Sequence, residues 1–324
     1  MSKAIVIDAF GGPEVLQWRD VEVGDPGSDE VRIRHTAVGL NYIDVYCRTG
    51  LYPLLTPPAT PGMEAAGGIE AGGPGVADFT EGDRVAYVQG PGGAYAEART
   101  MKTDKLVKLP EDISDDQAAA MMLKGMTAEY LIHRTTHVQA DDTVLVHAAA
   151  GGVGLLLCGW CKDKGARVIG TASNDAKARL AKAHGADEVI VTASENFVDR
   201  VAEITGGNGA RYIYDGVGRD TFDGSLEALA MRGHLVSYGN ASGPVEPFTM
   251  LKLSPRSATI TRPTLFHYIA ERAALDEVAG NLFDAVRRGA VKIEVNQTYP
   301  LAETAQAHRD LEARKTTGST VLRP

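Results

Sequence analysis

With 324 residues the chain is too long for one comfortable hydrophobic core, so two domains are expected. Hydrophobic residues make up 44% and charged residues 23%, an ordinary enzyme balance; the net charge of -9 comes with no basic run, which argues against nucleic acid as the main partner. Met1 to Phe10 holds no apolar core of signal-peptide length, and no stretch nears the ~20 apolar residues that span a bilayer. The three cysteines, Cys47, Cys158 and Cys161, are an odd count that favours a reducing, cytoplasmic setting.

The first third reads as β-rich. In "EVRIRHTAVGL" (30–40), Val31, Ile33, His35 and Ala37 alternate with Arg32, Arg34 and Thr36, the period of a half-buried strand. "GDRVAYV" (82–88) and "GAYAEARTM" (93–101) are further short strands set off by Gly and Pro, a pattern that suggests a small barrel. At Ser114 the character changes: Ser114 and Gln117 form a capping-box pair ahead of a long helical pattern.

Strands and helices then alternate. "DTVLVHAAA" (142–150) is a strand followed by a helix over 152–165, and "ARVIGTAS" (166–173) a strand followed by a helix over 175–184. "DEVIVT" (187–192), "ARYIYDGV" (210–217) and "HLVSYGN" (234–240) supply further strands, which predicts a doubly wound parallel sheet. After "ATITRPTL" (258–265) come two amphipathic helices and the short strands "VKIEV" (291–295) and "TVLRP" (320–324). These are too few for a third domain and are assigned back to the first. The expected division is therefore 1–122 with 264–324, and 123–263.

The strongest single motif is "VLVHAAAGGVG" (144–154). It meets the G-x-G-x-x-G spacing with Ala149, Gly151 and Gly154, leaving a strand and entering a helix whose N–H groups and dipole suit a pyrophosphate. Ala150, Gly151, Gly152, Val153 and Gly154 are the candidate phosphate contacts. An acid at the end of the next strand would grip a ribose diol and favour NAD; Thr171, Ala172 and Ser173 stand there instead. Ser173 can hydrogen-bond a 2′-phosphate and Lys177 can pair with its charge, so NADPH is the expected cofactor, the competing reading of Lys177 being a solvated helix lysine.

Taken together, "FGGPEVL" (10–16), "GLNYIDVYCRTGLYP" (39–53), "LKGMTAEYL" (123–131), "AAGGVG" (149–154), "YDGVGRDT" (214–221), "SYGNASG" (237–243) and "TRP" (261–263) resemble one family across the whole chain. It is the NADPH:quinone oxidoreductase, zeta-crystallin-like family of the zinc-free medium-chain dehydrogenases/reductases. The resemblance implies an α/β fold, a GroES-like β-barrel domain plus a Rossmann domain, with the active site in the cleft between them. It also implies cofactor contacts at Asn41, Lys124, Thr127, Tyr130, Val217, Tyr238, Gly239, Asn240 and Arg262, with Arg314 a weaker candidate. Structural roles compete with these for Lys124 and Thr127, support of the domain interface competes for Arg262, and a plain surface arginine is the competing reading of Arg314. Two positions depart from the family pattern: Gly159 replaces a usual glutamine, and Thr192, a candidate contact near the adenosine end, replaces a frequent tyrosine.

In the zinc-dependent branch a cysteine opens the segment aligned with "NYID" and a histidine follows the glycine of a Gly-His-Glu triplet. Here those positions are Asn41 and Met63, neither of which supplies the thiolate or imidazole that catalytic zinc needs, so no metal is expected. Without a metal to hold an alkoxide, simple alcohol oxidation is hard, whereas quinones and enones spread the incoming charge by conjugation. Asn41 is the candidate for orienting the nicotinamide or bonding the substrate oxygen. Tyr46 and Tyr52 either wall the substrate site and donate a hydrogen bond or proton, or merely pack its mouth. Asp44 reads as a helix cap.

The expected activity is NADPH-dependent quinone reduction. An enone or alkenal reductase is the alternative, and a non-enzymatic structural or RNA-binding role the remote one. A small-molecule acceptor, no membrane and a homodimer paired through "ATITRPTL" complete the expectations.

Overall fold

The computed structural model describes residues 2–324. The chain opens with strands β1 (Ser2–Val6), β2 (Gln17–Val21) and β3 (Glu30–Leu40), then helix α1 (Tyr42–Thr49). Strands β4 (Glu64–Gly72), β5 (Arg84–Val88), β6 (Ala98–Lys102) and β7 (Leu106–Lys108) lead into helix α2 (Asp115–Tyr130). Six strands alternate with helices after that: β8 (Thr143–Val146), α3 (Gly152–Asp163), β9 (Arg167–Ala172), α4 (Asp175–Ala183), β10 (Glu188–Val191), α5 (Phe197–Ile204), β11 (Ala210–Asp215), α6 (Phe222–Ala228), β12 (Leu229–Ser237) and β13 (Thr259–Thr261). The chain closes with α7 (Leu265–Tyr268), α8 (Arg272–Arg287), β14 (Val295–Pro300), α9 (Thr304–Glu312) and β15 (Ser319–Arg323).

Two compact units result. The first comprises Met1–Lys124, Ile269–Gly280 and Ile293–Pro324; the second Gly125–Tyr268 and Asn281–Lys292. Residues 264–268 and 281–292, which the sequence reading gave to the first domain, thus cluster with the second. Side-chain packing explains the correction. Leu282 fills the space above Gly125, the Ala290 carbonyl closes over Gly159, Asn281 Nδ2 donates to Glu129 Oε1 at 2.8 Å, and Arg288 pairs with Asp163 at 3.0 Å.

In the first unit β3 is the organising strand. It pairs antiparallel with β4 along one edge; on the other it meets β6 through Glu30–Arg34 and β15 through Val38–Leu40. The sheet continues to β5 and β7 on one side and, through a parallel β14–β15 pair, ends at β14 on the other. Its alternation holds: Val31, Ile33, His35 and Ala37 are buried. The strand expected at "VKIEV" is not there; it begins at Val295 and runs over the polar "VNQTYP". Cross-strand amides favour that choice, since Gln297 Nε2 donates to the Thr317 and Ser319 carbonyls at 2.7 and 3.1 Å.

In the second unit the sheet order is β10-β9-β8-β11-β12-β13 with every pairing parallel, the 3-2-1-4-5-6 order of a Rossmann domain. Leu145, Ile169, Ile190, Ile213 and Leu235 form its core with Val201, Phe222 and Leu226 from the covering helices. Burial on both faces is why these strands read as continuous apolar runs. Among the described residues no helix is long and apolar enough to cross a membrane.

Candidate active site

In the second unit the coenzyme candidates gather at the carboxyl ends of the parallel strands, where open α/β sheets bind ligands. The turn after β8 carries Ala150 and Gly151, and α3 starts at Gly152 with Gly151 as its extended N-cap. A Cβ on Gly154 would run into the Ala148 carbonyl oxygen and come within 2.9 Å of the Ala149 carbonyl carbon, so this helix can pack onto its strand only as glycine. The turn is tied to β9, because Ala149 N–H donates to Thr171 O at 2.9 Å and Ala148 N–H to Thr171 Oγ1 at 3.2 Å. His147 bridges Thr171 Oγ1 and Ser225 Oγ at 3.2 and 2.9 Å; burial lowers its pKa, opposed by Asp215.

Past the end of β9, Ser173 is exposed and Lys177 half-buried in the first turn of α4, whose N-cap Asn174 accepts the Lys177 N–H at 2.9 Å. Thr192 follows β10, with its hydroxyl donating to Ala172 O at 3.2 Å. Val217 sits in a loop organised by fully buried Asp215, whose Oδ1 accepts from Val217 N–H (2.8 Å), Gly218 N–H (3.1 Å) and Thr221 Oγ1 (2.9 Å). Tyr238, Gly239 and Asn240 follow β12. A Cβ on Gly239 would lie 2.8 Å from Gly216 Cα, so the turns after β11 and β12 touch backbone to backbone. Arg262 braces that turn, with Nη1 donating to Ser237 O and Oγ at 3.0 Å and to Gly239 O at 2.9 Å. Thr127 and Tyr130 lie on the last turns of α2, where the Tyr130 ring stacks on Tyr268 at 4.4 Å and burial pushes its phenol pKa up.

The first unit holds Asn41, Tyr46, Tyr52, Lys124 and Arg314. Asn41, not Asp44, is the N-cap of α1; Asp44 stands at N3, where its Oδ2 accepts the Asn41 backbone N–H at 2.9 Å as the return bond of a capping box. Tyr46 packs against Tyr52 at 4.8 Å between ring centroids, and Tyr52 N–H donates to Tyr46 O at 3.1 Å. Arg314 is exposed just beyond α9 with a φ of 57°, close enough for its charge to act on Tyr42.

Two buried networks lay outside the sequence reading. Glu64, fully buried, accepts from Asn41 Nδ2 (2.7 Å) and Lys124 Nζ (3.1 Å) on Oε1 and from Leu123 N–H (2.6 Å) on Oε2. The second runs from Glu312 through Arg48 and His308 to Tyr95 and Asp44. Arg48 donates to both Glu312 oxygens at 2.9 Å and to His308 Nδ1 at 3.0 Å; Tyr95 OH donates to Asp44 Oδ2 at 2.8 Å and lies 3.0 Å from His308 Nε2. Because Arg48 can only donate, His308 Nδ1 must accept, and its proton sits on Nε2, facing Tyr95. Burial lowers His308 to about 3 and raises Asp44 to about 7. The glutamate was readable only as the third residue of "GME"; nothing local marked the other network.

Family models match for an alcohol dehydrogenase GroES-like domain over residues 27–111 and for a zinc-binding dehydrogenase over 152–280. The chain is 50% identical to a quinone oxidoreductase of Pseudomonas aeruginosa, with all of both chains covered. The chain belongs to the quinone oxidoreductase family. It is thus an oxidoreductase of the medium-chain dehydrogenase/reductase superfamily, built from a GroES-like and a Rossmann domain. It is also 45% identical to a 2-haloacrylate reductase of a Burkholderia species over 100% of this chain and 99% of that one. The quinone oxidoreductase of Escherichia coli, solved in complex with NADPH, superimposes with a TM-score of 0.97 at 43% identity, covering 99% of this chain and 100% of that one.

The zinc in that family model's description does not fit the residues here. Among the described residues no three or more His, Cys, Asp or Glu gather as ligands; Met63 is fully buried and the Asn41 amide is engaged with Glu64. Cys47, Cys158 and Cys161 are buried and none of them belongs to such a cluster.

Proposed function

We propose that this enzyme is an NADPH-dependent quinone reductase working without a metal. The observation that carries the reading is the crevice at the carboxyl ends of β8–β12. It joins a glycine turn and helix N-terminus for a pyrophosphate to a β9 end bearing Ser173 and Lys177 in place of a ribose-binding acid. When bound there, NADPH supplies the hydride. Ala150–Gly154 receive the pyrophosphate, Ser173 and Lys177 the 2′-phosphate, and Thr192 the adenosine end. Val217 and Tyr238–Asn240, braced by Arg262, line the path of the dinucleotide, with Thr127, Tyr130 and Lys124 toward its nicotinamide end and Arg314 as an outlying cation. Asn41 orients the nicotinamide carboxamide. The Tyr46–Tyr52 pair, its rings tilted 52° to each other, offers aromatic faces for a conjugated acceptor and a phenol to protonate the reduced oxygen.

A second reading is favoured by the likeness to a 2-haloacrylate reductase: hydride delivery to an activated alkene on the same scaffold. Following NADPH oxidation with metal-free enzyme separates the two, offering a benzoquinone, a naphthoquinone, a simple enone and a plain aldehyde, with NADH alongside. Quinone turnover that a chelator leaves unchanged supports the first; turnover of the enone alone moves the substrate class; turnover of the aldehyde alone, abolished by a chelator, sinks both.

The enzyme pairs with a second copy through β13, which ends the parallel sheet. Sedimentation at micromolar concentration as a 34.4 kDa species would rule the dimer out. The buried, unpaired cysteines suit a cytoplasmic enzyme.

A further inference from the structure

Asn41 and Lys124, which the proposed function puts at the nicotinamide, are held by a single carboxylate. Glu64 stands at the first residue of β4, wholly buried, and Oε1 alone receives both Asn41 Nδ2–H at 2.7 Å and Lys124 Nζ at 3.1 Å. Its other oxygen is fixed by Leu123 N–H at 2.6 Å, so the carboxylate cannot swing without breaking a contact to α2. Gly39, in β3, leaves it room: a Cβ there would collide with Glu64 Oε1 and Cγ and with the Ala119 carbonyl oxygen. The site is therefore built around this side chain from three elements, β3, β4 and α2.

From this geometry we infer that Glu64 is a positioning residue that sets which end of the Asn41 amide faces the nicotinamide and holds Lys124 beside it. A carboxylate only accepts hydrogen bonds, so Asn41 must turn its nitrogen toward Glu64, and the amide oxygen occupies the other branch. An asparagine so fixed has one N–H committed to Glu64 and its oxygen turned to the capping box of α1, where the second lone pair of that oxygen is left to accept the carboxamide N–H of a nicotinamide. That selects the nicotinamide-orienting role for Asn41 over donation to the substrate oxygen, and leaves the latter to a phenol of the tyrosine pair. The ammonium of Lys124, tethered on the same oxygen, is kept from reaching elsewhere.

The inference rests on the proposed function, and the test keeps the two apart. Glu64→Gln retains the shape of the side chain but gives one branch of the carboxyl to an NH2. If its oxygen serves Asn41 and Lys124, the nitrogen confronts Leu123 N–H; if it serves Leu123, Lys124 loses its acceptor and the Asn41 amide is free to flip. In an otherwise wild-type enzyme Glu64→Gln is expected to lower kcat/KM for the acceptor and weaken NADPH binding, each by about tenfold or more, the range of coupled neighbours. In an Asn41→Ala background the same substitution is expected to cost at least about threefold less than in wild type, what remains being the share carried by Lys124. A loss equally large in both backgrounds, with a matching drop in melting temperature, would make Glu64 a structural ion-pair partner only and overturn the inference. If wild-type enzyme reduces none of the acceptors, the proposed function fails, and the same cycle is read on the NADPH dissociation constant alone, with coupling supporting and additivity refuting. Should Lys124, stripped of its partner, keep Glu64→Gln from folding, the cycle is run in a Lys124→Met background. There both charges are gone and any remaining coupling between Glu64 and Asn41 reports the amide orientation by itself.

Discussion

The strand ends of the parallel sheet and the buried networks around α1 fix their polar groups by opposite means. The first is made of backbone: the turn after β8, the N-terminus of α3 and the touching turns after β11 and β12, with Asp215 and Arg262 bracing them from behind. The second is made of side chains, the Glu64 triad and the chain from Glu312 to Asp44, joined over separations of up to hundreds of residues. A backbone site depends on the space that glycine leaves. A side-chain site depends on every buried charge keeping its partner, so the two should fail differently when altered.

The sharpest break is Gly154→Val. Its side chain would push α3 off β8, and NADPH binding, followed by coenzyme fluorescence, should weaken more than about 100-fold while the fold survives. Binding within about threefold of wild type would mean that the glycine turn is not the pyrophosphate site. On the other side, Arg48→Ala strips His308 and Glu312 of a buried guanidinium. It should cost about 3 kcal/mol of stability by urea titration, with little change in NADPH affinity.

Acid separates the regions further. Burial depresses His35 to about 4 and His308 to about 3, below their unfolded value near 6.5. The unfolded chain therefore binds more protons below pH 6.5, and stability present above that pH is lost as pH falls, by about 1.4 kcal/mol per unit for each imidazole. Asp44, raised to about 7, acts oppositely: the native state binds the extra proton between about 4 and 7, so its contribution is lost as pH rises through that window. These three groups together predict a net loss of about 1.4 kcal/mol per unit on going from pH 6.5 to 5. His308→Asn should flatten that slope, whatever it does to stability at pH 7.5; urea midpoints at several pH values would show it. An unchanged slope would mean that His308 is not held neutral by its surroundings.

A smaller effect is expected from Lys177→Ala, about tenfold weaker binding of NADPH with NADH unchanged, measured by paired titrations. An equal loss for both coenzymes would move the 2′-phosphate contact away from α4.

Much of the crevice was legible because its signals are local. Apolar runs bounded by glycine gave the strands β8 to β12, the Ser114–Gln117 cap fixed the start of α2, and the missing acid after β9 was a one-residue reading. Each depends on backbone conformation or period, which neighbouring residues decide. Strand β14 escaped because its polar residues are stabilised by amides reaching across to 317–320, and 281–292 was misassigned because Leu282 and Asn281 find their partners on α2.

Asn41 was singled out as a residue, yet the carboxylate holding its amide is 23 positions away, and His308 is 260 positions from Arg48. The sequence alone determined the parallel sheet, the glycine turn and the presence of Asn41 and Met63 where a zinc enzyme needs a thiolate and an imidazole. Only the tertiary structure decided which buried charges meet. Pairing between distant side chains is set by how sheets and helices bring them into one low-dielectric space, and no local period carries that information.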